Sequence, residues 1–312
     1  MAKGKPTKQH YVPQCYLREF ADHHDTNDGQ PCVWIFDRDG GNGRRDKVAN
    51  VLASNDLYTL RVGGEKSYVI EESLSDLEGK YATVFREKIG RRIPLNDKDH
   101  LTLCAFVVVM LHRTLKRKDQ IEKMLGELAK RAEDEEKARG LAPKMSLEIK
   151  QSLADAHKRD VATIRPEVVN ILMNMSAAFL CASGHADFVT SDDPVTMFNP
   201  DLQWQQFYGP GLDQKNVQVT IPLSPRVMLC LSWSNLRGYI GWNDGEVEEA
   251  NRMTVGSCYR YFVSNSPKTR RHWFRRYPKD PIFIMKALKH KAFLRIRKLI
   301  TNCRTYHAGK RG

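Results

Sequence analysis

The apolar positions of this chain repeat with helical spacing in its middle and with strand-like shortness at both ends. Ile70, Leu74, Leu77, Tyr81 and Phe85 fall on one helical face. Pro94 ends that helix, since proline offers no N–H to continue the ladder. The next run, LTLCAFVVVMLHRTLKRK, starts after Asp97 and Asp99, either of which suits an N-cap. Its pattern predicts one helix reaching Arg139, the second half highly charged, with Gly140 and Pro143 as punctuation. Residues 146–181 are predicted helical, with a kink at Pro166. Towards the N-terminus, residues 9–20 predict an extended opening and a helical turn, because Val12 precedes Pro13. Residues 32–37, CVWIFD, predict a strand, and residues 55–60 lead into a second one that VGGEK closes. Residues 187–195, 217–223 and 227–233 predict three more short strands, and 246–263 a helix. A last amphipathic helix is predicted at 282–300. Its apolar stripe is Met285, Leu288, Ala292, Ile296 and Leu299. The expected fold class is therefore α+β, with a mostly helical middle and short β-strands near the N-terminus and in residues 187–233. No glycine-rich loop follows a strand, so a doubly wound nucleotide-binding fold has no support.

Composition adds a division of the chain. With 312 residues, 41% of them hydrophobic, a sizeable core can be buried. The net charge of +13 is concentrated at one end. From Ser266 onwards there are fifteen lysines and arginines and one acid, Asp280, which leaves the preceding residues nearly neutral. The expected organisation is one globular domain over residues 1–265 and a basic amphipathic extension over 266–312. A localised basic segment is the footprint of a polyanion-binding region. Seven cysteines (15, 32, 104, 181, 230, 258, 303) lack the short spacings of a zinc site and predict buried free thiols. MAKGKPTKQHY has no apolar stretch behind its lysines, and the run from Leu101 to Leu111 is too short to cross a bilayer. A cytoplasmic protein without a transmembrane segment is expected.

Several separated motifs carry the candidate chemistry. His10, Tyr11, Val12 and Pro13 are followed by Tyr16, Leu17, Arg18 and Phe20. Tyr58 lies beyond the first strand, and Glu71, Leu74 and Glu78 lie on the first helix. Arg113 and Thr114 end the apolar run. Thr190, Ser191, Asp192 and Pro194 form a TSDxP element, Pro222, Leu223 and Pro225 mark a strand exit, and Asn251 sits in the later helix. In this order and spacing, over residues 9–264, the chain resembles the bacterial family catalogued as domain of unknown function 4238. It departs from the expected pattern at Met110, where a glutamine is expected. The resemblance implies no reaction.

Each motif residue admits a chemical and a structural reading. His10 can act as acid, base or metal ligand near neutral pH, or pin the opening segment through a backbone carbonyl. Asp192 can bind a metal or orient a base, or accept backbone N–H bonds in a turn. Glu71 and Glu78 share one helix face about 10 Å apart, too far to chelate one ion without a third group. Arg113 can clamp a phosphate or neutralise one of these acids. His112, about 100° round the helix, is read as structural. The first expectation is a nucleic-acid-acting hydrolase, a phosphodiesterase or nuclease-like effector. Its catalytic candidates are His10, Asp192 and Arg113. Its substrate contacts are Tyr11, Ser191 and Asn251, and a divalent metal, Mg or Mn, is held by Asp192, Glu71 and Glu78. The basic extension interleaves arginines and aromatics in TRRHWFRRYPK. Arg270, Arg271, Trp273, Arg275, Arg276 and Tyr277 are the candidate nucleic-acid contacts there. The other readings of that segment are a solvated basic helix that docks its apolar stripe onto the domain, and a membrane-surface helix. The competing expectation is a non-enzymatic nucleic-acid-binding or interaction module whose polar motif residues specify the fold.

Overall fold

The computed structural model describes residues 8–22, 29–41, 43–199 and 211–274. The helix expected at 282–300, with Arg275, Arg276 and Tyr277, lies outside the described residues. In chain order the elements begin with β1 (Lys8–His10), α1 (Gln14–Leu17), β2 (Cys32–Asp37), β3 (Arg44–Lys47), β4 (Ala53–Asn55), β5 (Leu60–Val62) and β6 (Glu65–Ser67). The helical middle is α2 (Val69–Val84), α3 (Asp97–His112), α4 (Leu115–Ala138), α5 (Met145–Ala162) and α6 (Pro166–Asn174). The remainder is β7 (Ser176–Ala182), β8 (Thr190–Ser191), β9 (Thr196–Phe198), β10 (Gln218–Ser224), β11 (Val227–Ser232), β12 (Gly238–Trp242), α7 (Asp244–Ser257) and β13 (Tyr261–Ser264). The fold is α+β.

Two sheets enclose the main core. The larger has strand order β12-β7-β11-β10-β9, with β12 parallel to β7 and the other pairs antiparallel. The smaller, β3-β2-β13-β8, is wholly antiparallel. Phe179, Ile221 and Leu229 from the first and Val33, Ile35 and Val263 from the second share a core with α2, α3 and α6. Helix α7 covers the opposite faces: Val247 and Ala250 pack with Leu180 and Met228, and Val255 packs with Phe36 and Phe262. The chain thus buries sheet residues on both sides, as layered folds require.

Several boundaries differ from the pattern, each for a local reason. The long helix breaks at Arg113, because Thr114 is extended and its hydroxyl accepts from the N–H of Arg117, capping a new helix. Asn96, not Asp97 or Asp99, caps α3, in a capping box with Asp99. Pro166 starts α6 at its first turn instead of kinking a longer helix. Residues 176–182 form β7, a strand buried on both faces, so no polar alternation betrayed it. The helix expected at 246–263 ends at Ser257, and its last residues form β13. Only Thr190 and Ser191 of the expected 187–195 strand pair in a sheet. After β5 the chain turns back, Gly63 and Gly64 supplying the two positive φ angles of a tight hairpin. Met110 is fully buried in the core. The six described cysteines are unpaired. Among the described residues, no helix is long and apolar enough to cross a membrane.

Candidate functional site

Motif residues gather in two clusters around buried charged groups, Arg113 and Asp192. The first is built around Arg113, which the break between α3 and α4 turns inward until only 1% of it is exposed. Its Nη1 donates to Glu78 Oε1 at 2.8 Å and its Nη2 to the His10 carbonyl at 2.6 Å. The Tyr58 ring lies 5.7 Å from the guanidinium, and the Tyr58 hydroxyl donates to the Arg113 carbonyl at 2.6 Å. Burial works against the charge of Arg113, but Tyr58 and Glu78 outweigh it, so the group stays protonated. Burial raises the Glu71 carboxyl above its usual range, opposed by the nearby Arg113. Burial also lowers the His10 imidazole. Its Nδ1 lies 3.4 Å from Gln14 Nε2. The His10 ring also faces the Val48 and Ala49 backbone, while Glu71 Oε2 and Arg113 Nε are buried without a hydrogen-bond partner.

The second cluster is built around Asp192. Strand β8 ends there, and the carboxylate accepts three backbone N–H groups: Tyr259 (2.8 Å), Arg260 (2.7 Å) and Tyr261 (3.0 Å). The neighbouring Ser191 is fully buried, and its hydroxyl accepts from the Asp193 N–H. Tyr11 is also buried. Its phenol is pushed upwards by burial and by the nearby Asp192 carboxylate. Asn251, on α7, is fully enclosed. It accepts from Val189 N–H at 2.9 Å and donates to the Asp187 carbonyl at 2.7 Å. These are the bonds of a residue holding a loop in place.

The structure therefore brings His10, Glu71, Glu78 and Arg113 together and places Asp192 with a different set of partners. Asp192 spends its oxygens on the β13 backbone and does not join Glu71 and Glu78. Among the described residues, no group of three or more His, Cys, Asp or Glu is arranged to hold a metal ion. Trp273, expected to be presented to a base, is instead buried against Phe262, with its indole N–H on Glu248 at 2.6 Å. Arg270 pairs with the same glutamate at 3.3 Å, while Arg271 is exposed.

Some structural partners went unread in the sequence. Gln9 is fully buried, accepts from the Tyr58 N–H and donates to the Thr59 hydroxyl. Its only signal was its place in a strand beside His10. Asp160 binds both His112 and Arg117, which gives His112 the structural role expected of it. The imidazole of His157 stands 6.1 Å from the Tyr58 ring and donates to the His112 carbonyl, and burial lowers its pKa to about 4. In the unfolded chain the same group titrates near its ordinary value of about 6.5. Its stabilising contribution is thus complete above about pH 6.5 and is lost as the pH falls towards 4, to a total of about 3 kcal/mol. Urea unfolding at pH 7 and pH 4.5 is expected to register this loss. His157→Gln, which keeps a donor but cannot titrate, is expected to shrink it, and an unchanged pH dependence in that variant would refute the assignment.

A family model described as "Protein of unknown function (DUF4238)" matches residues 8–268. No curated protein and no solved structure matches the chain.

Proposed function

The chain belongs to the DUF4238 family of proteins of unknown function, and from that premise we propose that it is a non-enzymatic nucleic-acid-binding module. The carrying observation is the segregation of charge: fifteen cations and one acid follow Asn265, on a chain otherwise near neutrality. The burial of Arg113, Asp192, Ser191 and Asn251 supports the non-enzymatic half of the reading, because a substrate does not reach them from the surface. Trp273 and Arg270 then anchor the basic segment to Glu248, and the cations beyond them meet the phosphates. A hydrolytic reading keeps one observation in its favour. Glu71 Oε2 is unpartnered in the cluster around Arg113, beside His10, and a substrate group can supply what it lacks.

One experiment separates the two. The full chain and a chain ending at Phe274 are titrated onto labelled single- and double-stranded DNA and RNA, with Mg²⁺, Mn²⁺ or EDTA. The full chain is expected to bind, with a loss of about tenfold or more between roughly 50 and 200 mM salt, as neutralising even two phosphates requires. The shortened chain is expected to lose most of that affinity, and the nucleic acid to be recovered uncut. Equal binding by the shortened chain would remove the basic segment from the reading. Metal-dependent cleavage that disappears in His10→Ala would replace binding with hydrolysis.

A further inference from the structure

One end of the smaller sheet gathers arginines and tyrosines that the Arg113 and Asp192 clusters do not use. Strand β2 ends there at Asp37, β3 begins at Arg44, β13 begins at Tyr261 and β8 runs out at Asp192. The Arg44 guanidinium lies 5.8 Å from the Tyr261 ring centroid, and that of Arg260 lies 4.9 Å from the Tyr259 ring. Arg38 is tied in by its own N–H, which donates to the Arg260 carbonyl at 2.8 Å, and by its side chain on the Gly256 carbonyl. The Asp192 carboxylate accepts the N–H groups of Tyr259, Arg260 and Tyr261, so the buried motif residue fixes the segment that carries the stacked pair.

The last described residue, Phe274, lies at the same place. Phe274 packs on Gly40, whose φ of +85° and lack of a side chain admit the ring. The residues that follow in sequence are Arg275 and Arg276. Acids are present too: Asp37 and Asp39 are exposed on this loop, and Asp119 lies 3.4 Å from Arg260. Arg44 is exposed and has no acidic partner among the described residues.

We propose that this sheet end, with Arg44 and Arg260 against the Tyr261 and Tyr259 rings, is the folded domain's own contact for single-stranded nucleic acid. It rests on the nucleic-acid reading above. Guanidinium planes and tyrosine rings accept bases by stacking, while the arginine charge meets the phosphates. A lipid surface asks for exposed aliphatic side chains, and none of the large exposed hydrophobics of the described chain belongs to this sheet end.

The test is fluorescence anisotropy of the full chain on a single strand of roughly 15 nucleotides, on the matching duplex and on phosphatidylserine vesicles. An Arg44→Ala/Arg260→Ala variant is compared with wild type and with Arg61→Ala/Lys66→Ala on the β5–β6 hairpin, after equal thermal melts show all three folded. The sheet-end variant is expected to bind the single strand about tenfold more weakly, with a shallower salt dependence, and the hairpin variant to match wild type. If wild type binds and the sheet-end variant binds equally well, this inference fails and the basic segment alone carries the nucleic-acid reading. If wild type binds neither nucleic acid, both fall. A loss confined to vesicles assigns the sheet end to lipid and overturns the proposal.

Discussion

Arg113→Ala is expected to destabilise the protein by about 3 kcal/mol, chiefly from an orphaned buried carbonyl and a cavity, because Glu78 is itself 24% exposed and keeps part of its hydration. The guanidinium is 1% exposed and joins three parts of the chain: Glu78 on α2, the His10 carbonyl on β1 and, through the overlying ring, Tyr58. Truncation leaves the Glu78 carboxylate without its counter-charge, orphans a buried carbonyl and opens a cavity where a large side chain stood. Of a total stability that is commonly about 5–15 kcal/mol, this is a large share. Arg113→Lys keeps the charge but cannot reach Glu78 and the His10 carbonyl with one planar fork, so an intermediate loss is expected. Arg113→Met combined with Glu78→Gln removes both charges and is expected to recover part of the loss. Urea unfolding followed by circular dichroism measures all three. A loss below about 1 kcal/mol for Arg113→Ala would mean that the site is not the buried tie described above.

Asp192→Ala is expected to cost a similar amount, about 3–5 kcal/mol, because three backbone N–H groups lose their acceptor and each buried orphan costs about 1–3 kcal/mol before water relieves it. The damage has an address. Hydrogen exchange at the amides of Tyr259, Arg260 and Tyr261 is expected to accelerate ahead of global unfolding, while β10 and β11 keep their protection. The adjacent Asp193 is the control. Its side chain is 13% exposed and pairs with that of Lys116, which is 34% exposed, so its replacement by alanine is expected to cost about 1–2 kcal/mol, less than that of Asp192. Equal losses for the two aspartates would contradict the separate roles assigned to them.

Helices α2 and α3 were legible because each shows the core one apolar face, or a continuous apolar run, between recognisable stops. Strand β2 was legible because its six residues stand between turn signals. Strand β7 was not. SAAFLCA is enclosed by the main core on one side and α7 on the other, so after Ser176 no polar residue alternates with the apolar ones to show a period of two. Strand β13, YFVS, is four residues long and follows α7 after three residues, too short a run to show its own period. The helix break at Arg113 turned on one threonine hydroxyl reaching back to a backbone N–H, a choice that spacing alone does not register.

Of the site, the chain by itself determined which residue types were available: a histidine, two helical glutamates, an arginine, an aspartate after a strand, and a basic end. That Arg113 meets Glu78 and His10 while Asp192 meets Tyr259, Arg260 and Tyr261 was decided by tertiary structure. These partners lie 35 to 103 residues apart. Local propensity and periodicity act over a few residues. Contacts across such separations follow only from which faces the sheets and helices bury against one another, and from the need of each buried polar group to find a partner there.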